Sequence, residues 1–303
     1  SRKNFDFVNE IKSLFKLYLT IKHFNPETIY AVSLKTSVLT SIITYFVNNK
    51  KNIYAISGLG YIFTSKKITA KFIKFLLLIV MRILKSNQSK IIVQNPEDKK
   101  ILLNYNISKK ENIILIKGVG VDLKKFSPKK NGNKKIKVFL GTRLLKSKGI
   151  QTYLDLATYF HMNKLNTQFY LAGRVDKFNP DQYPLNNIIK HHKMKAIKWL
   201  GYKEKIHEIL KKVDILLFPS QYGEGVPKIL LEAAGCGIPI ITYNIPGCRE
   251  VVKNNVNGFV APAGNQELLK KYLLELSQNK KLRLSMGKQS RLIAEKSFDS
   301  TKI

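Results

Sequence analysis

The sequence holds 303 residues, 44% of them hydrophobic, with 53 basic and 20 acidic side chains and a formal net charge of +33. That is length for two ordinary domains and enough apolar content for a sizeable core. The charge has two readings, an anionic partner (nucleic acid, anionic lipid or a phosphorylated substrate) or a general lysine bias, since the lysines run along the whole chain. The two cysteines, Cys236 and Cys248, form no CxxC pair and no metal-ligand spacing with histidine, so they read as reduced thiols.

In chain order, "FVNEIKSLFKLYLTIKHF" carries apolar residues at helical spacing. "ETIYAVS", "KNIYAIS" and "KIIVQN" read as short strands, with a helix "SVLTSIITYFVNN" between the first two. The stretch Ile68 to Lys85 is long and apolar but carries Lys71, Lys74, Arg82 and Lys85, too many charges for a spanning helix. It reads either as a basic amphipathic helix lying on an anionic bilayer or as a packed helix with its lysine stripe in water. The lysine-rich turn Ser127 to Lys135 is the domain boundary that composition suggests.

Beyond it the alternation sharpens. Strand "KIKVFLG" precedes helix "GIQTYLDLATYFHMN"; "TQFYLAG" and "AIKWLG" precede "EKIHEILKK"; "VDILLFP" precedes "PKILLEAAG"; "IPIITY", "GFVAP" and "QELLKKYLLELSQN" follow. This predicts an α/β chain built on a doubly wound parallel sheet.

Two loops carry chemistry. In "DILLFPSQYGEGVPKILLEAAGCGIPIITY", Pro227 reads as the first residue of a helix, leaving the amides near Gly225, Val226 and Lys228 as donors for an anion such as a diphosphate. Glu224 precedes them and Glu232 lies in the helix's second turn, so one carboxylate would hold sugar hydroxyls and the other ribose hydroxyls; the competing reading is a helix start decorated with acids for its dipole. In "FLGTRLLKSKGI", Arg143 and Lys148 would project from the same sheet edge and suit a diphosphate leaving group. Lysines are common in this chain, so Arg143 is the more telling of the two.

These motifs, with "IPGCREVVKNNVNGFVAP" and the crossover "IKGVGVDLKKFSP", resemble the retaining GT-B glycosyltransferases of family 4. The first part narrows the likeness: "IYAVSLKTSVLTS", "ISGLGYIFTS" and "KIIVQNPEDKKIL" are similar to segments of a subgroup acting in capsule, O-antigen and lipid-linked oligosaccharide assembly. The resemblance implies two Rossmann-like domains facing a cleft, 1–117 for the acceptor and 118–303 for the nucleotide-sugar donor. It implies transfer of an N-acetylhexosamine or related sugar from a UDP-sugar to an undecaprenyl-diphosphate-linked saccharide. Arg143, Lys148 and Glu224 would be catalytic. Gly141, Gly173, Gly225, Val226, Pro227 and Glu232 would join them around the donor, with Ser33, Lys35, Ser57 and Gly58 on the acceptor side.

The family reaction retains configuration by front-face attack, with no metal, no organic cofactor and no protein base. The sequence likewise has no Asp-x-Asp. The implied location is peripheral, on the cytoplasmic face of the membrane. Family members open with a strand and glycine-rich loop not found here, about 60 residues or more. The expectation is therefore an incomplete first domain, and a fragment inactive by itself. Two other classes compete with this reading. A nucleotide-cofactor oxidoreductase has only the partial motif "GLGYIF" in its favour. A nucleic-acid binder would need clustered rather than dispersed lysines. His191 and His192 read as solvated surface residues.

Overall fold

The computed structural model describes residues 7–47, 51–60, 63, 68–83, 89–128, 134–221, 223 and 225–303. It has two units, Ser1–Gly118 with Gly223–Val226, and Val119–Tyr222 with Pro227–Ile303. Each is organised around one parallel sheet.

In the first unit α1 (Phe7–Phe24) leads into β1 (Thr28–Val32), α2 (Leu34–Val47), β2 (Lys51–Ile56), α3 (Ile68–Ile83), β3 (Ser89–Val93), α4 (Pro96–Asn104) and β4 (Ile113–Leu115). The strands lie side by side in sequence order. Alternation puts Ala31, Tyr54, Ile56, Ile91 and Val93 on one face, where they pack with Leu78 of α3 and Leu102 of α4. Helix α2 turns hydroxyls inward, Ser37, Ser41 and Thr44, and Thr44 Oγ1 lies 3.4 Å from the Tyr54 hydroxyl. The start of α4 is chemically explicit: Asn95 Oδ1 accepts from Asp98 N at 2.8 Å and Pro96 occupies the first turn.

Helix α3 sets two of the four expected cations beside the end of α4. Lys74 lies over the Tyr105 ring at 4.8 Å, Arg82 Nε donates to Tyr105 O at 2.7 Å, and Leu78 between them is buried. Both cations are turned toward the end of α4. Among the described side chains of α3, Ile68, Phe72 and Phe75 are exposed apolar residues, and Arg82 is exposed as well. The Lys74 ammonium over the ring face is a cation–π contact. Lys85 lies outside the described residues.

The second unit runs β5 (Ile136–Gly141), α5 (Ile150–Met162), β6 (Thr167–Ala172), α6 (Leu185–Lys193), β7 (Ile197–Trp199), α7 (Ile206–Leu210), β8 (Ile215–Phe218), α8 (Lys228–Gly235), β9 (Ile240–Tyr243), α9 (Pro246–Val251), β10 (Gly258–Ala261), α10 (Gln266–Gln278) and α11 (Lys280–Ser297). Strand order is β10-β9-β8-β5-β6-β7, all parallel. The chain winds one way from β5 and the other way from β8. The order therefore reverses between these two neighbours, and the loops leaving their carboxyl ends flank the switch point where open α/β sheets bind ligands.

Two further expectations change. The units divide at Gly118, ahead of the lysine-rich turn, because residues 121–126 are tied into the second unit. Val121 N donates to Phe298 O, Val121 O accepts from Ser300 N, and Arg291 donates to Phe126 O. Helix α8 starts at Lys228: Pro227 has φ −65° but ψ 122°, an extended residue capping the helix rather than its first turn.

Candidate functional site

Loop Thr142–Gly149 leaves β5 through close-packed glycines. A Cβ at Gly141 would stand 2.9 Å from the Phe139 ring, and one at Gly173, after β6, would stand 1.8 Å from Thr142 O. Arg143 is half exposed, its Nη1 3.7 Å from Asp176 Oδ2. Residues Lys146–Lys148 form a 3₁₀ turn, closed by Gly149 at φ 72°. Lys148 is not one of the solvated lysines: it is 7% exposed. Burying an ammonium is costly unless partners compensate it, so its place beside the switch point is a specific feature.

Across that point, α8 carries Glu232, buried at 8% exposure with Oε1 3.7 Å from Lys228 Nζ. Burial pushes the Glu232 carboxyl above the usual range, against the pull of Lys228 and of Lys125 from the crossover segment. Cys236, just past α8, is a buried thiol pushed up to about 12, chiefly by desolvation. Cys248 is buried in α9.

In the first unit the four acceptor-side residues fall at the carboxyl ends of adjacent strands. Ser33 follows β1 and Lys35 lies in the first turn of α2; Ser57 and Gly58 follow β2. Ser33 adopts φ 91°, rare outside glycine, with its Oγ 2.9 Å from Thr36 Oγ1 and its N donating to Ala55 O. Gly225 and Val226 belong with this unit. A Cβ at Gly225 would stand 1.8 Å from Ser57 O, so only glycine fits. Val226 N donates to Gln94 Oε1 at 2.9 Å. The Val226 amide, expected to be open to an anion, is therefore engaged: a carboxamide at the end of β3 supplies the acceptor. Glu224 and Tyr222 lie outside the described residues.

Several groups here escaped the sequence reading. Gln94 was visible only as the end of a strand. Arg174, after β6, stacks over the Tyr202 ring, after β7, at 4.6 Å. Asp181 accepts from Ser147. Each depends on two loops distant in sequence meeting at one sheet edge. His191 is half-buried on α6 with Nδ1 2.6 Å from Asn187 O, and its exposed neighbour His192 has Nδ1 3.3 Å from Ile197 O. Among the described residues no three His, Cys, Asp or Glu side chains gather as metal ligands would.

The family profile "Glycosyl transferases group 1" matches residues 121–292, more than half of the chain. The chain belongs to this family. It is accordingly a glycosyltransferase with a GT-B fold, and the oxidoreductase reading is left without support. A curated relative of this glycosyltransferase is the N,N'-diacetylbacillosaminyl-diphospho-undecaprenol α-1,3-N-acetylgalactosaminyltransferase of Campylobacter jejuni, 28% identical over 92% of this chain and 75% of that protein. Another is the Escherichia coli UDP-Gal:α-D-GlcNAc-diphosphoundecaprenol α-1,3-galactosyltransferase, 27% identical over 95% of this chain and 76% of that one. Among solved structures, sucrose-phosphate synthase from Thermosynechococcus elongatus superposes with a TM-score of 0.77 at 18% identity, covering 96% of this chain and 74% of that one. Anabaena HepE in complex with UDP gives 0.74, also at 18% identity, covering 95% and 79%.

Proposed function

We propose that this glycosyltransferase moves a sugar, an N-acetylhexosamine or a close relative, from a UDP-sugar to a saccharide carried on undecaprenyl diphosphate, with retention of configuration. The observation that carries the reading is the likeness, over more than nine-tenths of the chain, to two transferases both named for undecaprenyl-diphosphate-linked acceptors. It serves the assembly of capsule, O-antigen or related glycans.

In this reading the β5–β8 switch point takes the nucleotide. Arg143 and the buried Lys148 neutralise the departing diphosphate, where a low-dielectric setting strengthens them. Glu232 accepts from the ribose hydroxyls, Glu224 holds the transferred sugar, and Arg174 with Tyr202 supplies a flat surface for the base. Gly141, Gly173, Gly225 and Pro227 let the backbone come close. Val226 acts through its backbone, whose N–H holds the loop to Gln94. Ser33, Lys35, Ser57 and Gly58 meet the acceptor. The leaving phosphate takes the acceptor proton, so the protein provides no base, and neither a metal nor an organic cofactor enters.

A lipid-linked acceptor has to be met at a bilayer. No described helix is long and apolar enough to cross one. The outward aromatic face of α3, with Ile68, Phe72 and Phe75, supports peripheral seating at the cytoplasmic surface, amid a strongly basic chain that anionic lipid attracts.

The test is nucleotide release from a panel of UDP-sugars with polyprenyl-diphosphate-linked acceptors, beside Glu224→Ala. Acceptor-dependent UDP release that disappears in the variant is expected. Release from no UDP-sugar, or release untouched by the substitution, overturns the donor or the site.

A further inference from the structure

Three loops leave the carboxyl ends of β5, β6 and β8, and one residue pair joins them. Asp181, in the loop after β6, accepts through Oδ2 from Ser147 N at 3.1 Å and from the Ser147 hydroxyl. Its carbonyl also accepts from Lys146 N at 2.8 Å. The far side of Ser147 is engaged as well: its carbonyl accepts from Gln221 N at 3.0 Å and from Ser220 Oγ at 3.5 Å. Ser147 is thus the middle of a chain running from the β6 loop to the end of β8.

Asp181 is itself held firmly. Its N donates to Asn179 Oδ1 at 3.0 Å, Tyr183 N donates to Leu144 O at 2.9 Å, and the buried Tyr183 hydroxyl donates to Gln151 Oε1 at 2.5 Å. The β5 loop packs closely on the end of β8 at Gly149, where a Cβ would stand 2.0 Å from Pro219 O.

We infer that Asp181 is a positioning residue for the transferase reaction: through Ser147 it fixes the turn that carries Lys148 and registers the β5 loop against the end of β8. This rests on the reading of the switch point as the nucleotide-sugar site. Lys148 is the next residue after Ser147, and Arg143 lies four residues before it. A carboxylate accepting two bonds from one residue defines the turn more sharply than a single neutral bond does. Groups that neutralise a leaving diphosphate lose most of their effect when displaced by about 1 Å. The pair lies 34 residues apart in sequence and acts through the turn that carries Lys148.

The test compares Asp181→Ala, Asp181→Asn, Ser147→Ala and the Asp181→Ala/Ser147→Ala double variant with the wild-type protein. Calorimetric titration with UDP is paired with initial rates in which donor and acceptor are varied separately. In Asp181→Ala the donor KM and the UDP Kd should rise about tenfold or more while the acceptor KM holds. Asp181→Asn, which keeps one acceptor oxygen for Ser147 N–H, should recover part of the loss. The double variant should match Asp181→Ala, because both changes break one linkage. A donor KM within about twofold of wild type, or donor and acceptor KM rising together, overturns the inference. Wild-type protein that neither binds UDP nor turns over a UDP-sugar overturns the functional reading first and this inference with it. Wild-type binding matched by Asp181→Ala overturns this inference alone.

Discussion

Lys228 Nζ lies 3.7 Å from Glu232 Oε1, one turn along α8, and the carboxylate of that pair is the buried member. The lysine stays mostly in solvent, so the pair only partly offsets the cost of desolvating Glu232, and the carboxyl remains raised. A carboxylate that accepts from ribose hydroxyls has to be ionised. Donor affinity should therefore weaken as pH falls through this raised value, above the ordinary glutamate value of about 4.3. Glu232→Gln should flatten that pH dependence and raise donor KM about tenfold, read from initial rates across pH. Stability has the matching sign. The unfolded chain ionises Glu232 first, so its contribution falls as pH rises through the interval between unfolded and folded values, and the glutamine variant lacks that slope.

Arg291 of α11 binds the C-terminal end of α8. Its Nη1 donates to Gly235 O at 2.6 Å and to Phe126 O at 2.8 Å, while Nε meets Glu295 Oε1 at 2.6 Å. A cation on the last carbonyls of a short helix also suits its dipole. Arg291→Ala should cost about 2–4 kcal/mol in urea unfolding, because it strands partly buried carbonyls. Arg291→Lys should cost less.

Gly149 combines φ 72° with a Cβ direction blocked at 2.0 Å by Pro219 O. Gly149→Ala should destabilise by more than about 3 kcal/mol, visible as a lowered Tm, since backbone has to move to admit the methyl.

Phe72 and Phe75 project from α3 without supporting the core. The double change to serine should leave Tm unchanged and lower co-sedimentation with anionic vesicles at least about tenfold, because each buried phenylalanine is worth about 1.5–3 kcal/mol. Unaltered sedimentation would remove α3 from the membrane face.

The Cys236 thiol, at about 12, resists ionisation in the fold. The unfolded chain ionises it at lower pH, so the wild-type protein should lose stability from about pH 9 upward relative to Cys236→Ala, measured by urea titration at stepped pH.

The alternation of apolar runs with helical periods carried most of the architecture. β5, α5, β8 and α8 are each a local pattern whose burial is dictated by its own residues, and the carboxylate of α8 sits in its second turn whatever surrounds it. Helix α11 escaped notice for a matching reason. Its inward side is Arg283, Met286, Gly287, Ser290 and Ala294, too small and polar to mark an apolar face.

By itself, then, the sequence determined the alternation of strands with the more apolar helices, the loops at the switch point, and the residue types that make those loops suited to a diphosphate. Only the tertiary structure decided that Lys148 is buried, that Lys74 and Arg82 turn toward Tyr105, that Gln94 takes the Val226 amide, and that Asp181 reaches Ser147. Periodicity reports which side of an element is apolar. Hydrogen bonds between loops depend on which strand ends the sheet order sets next to one another, and that order is fixed by packing over the whole domain.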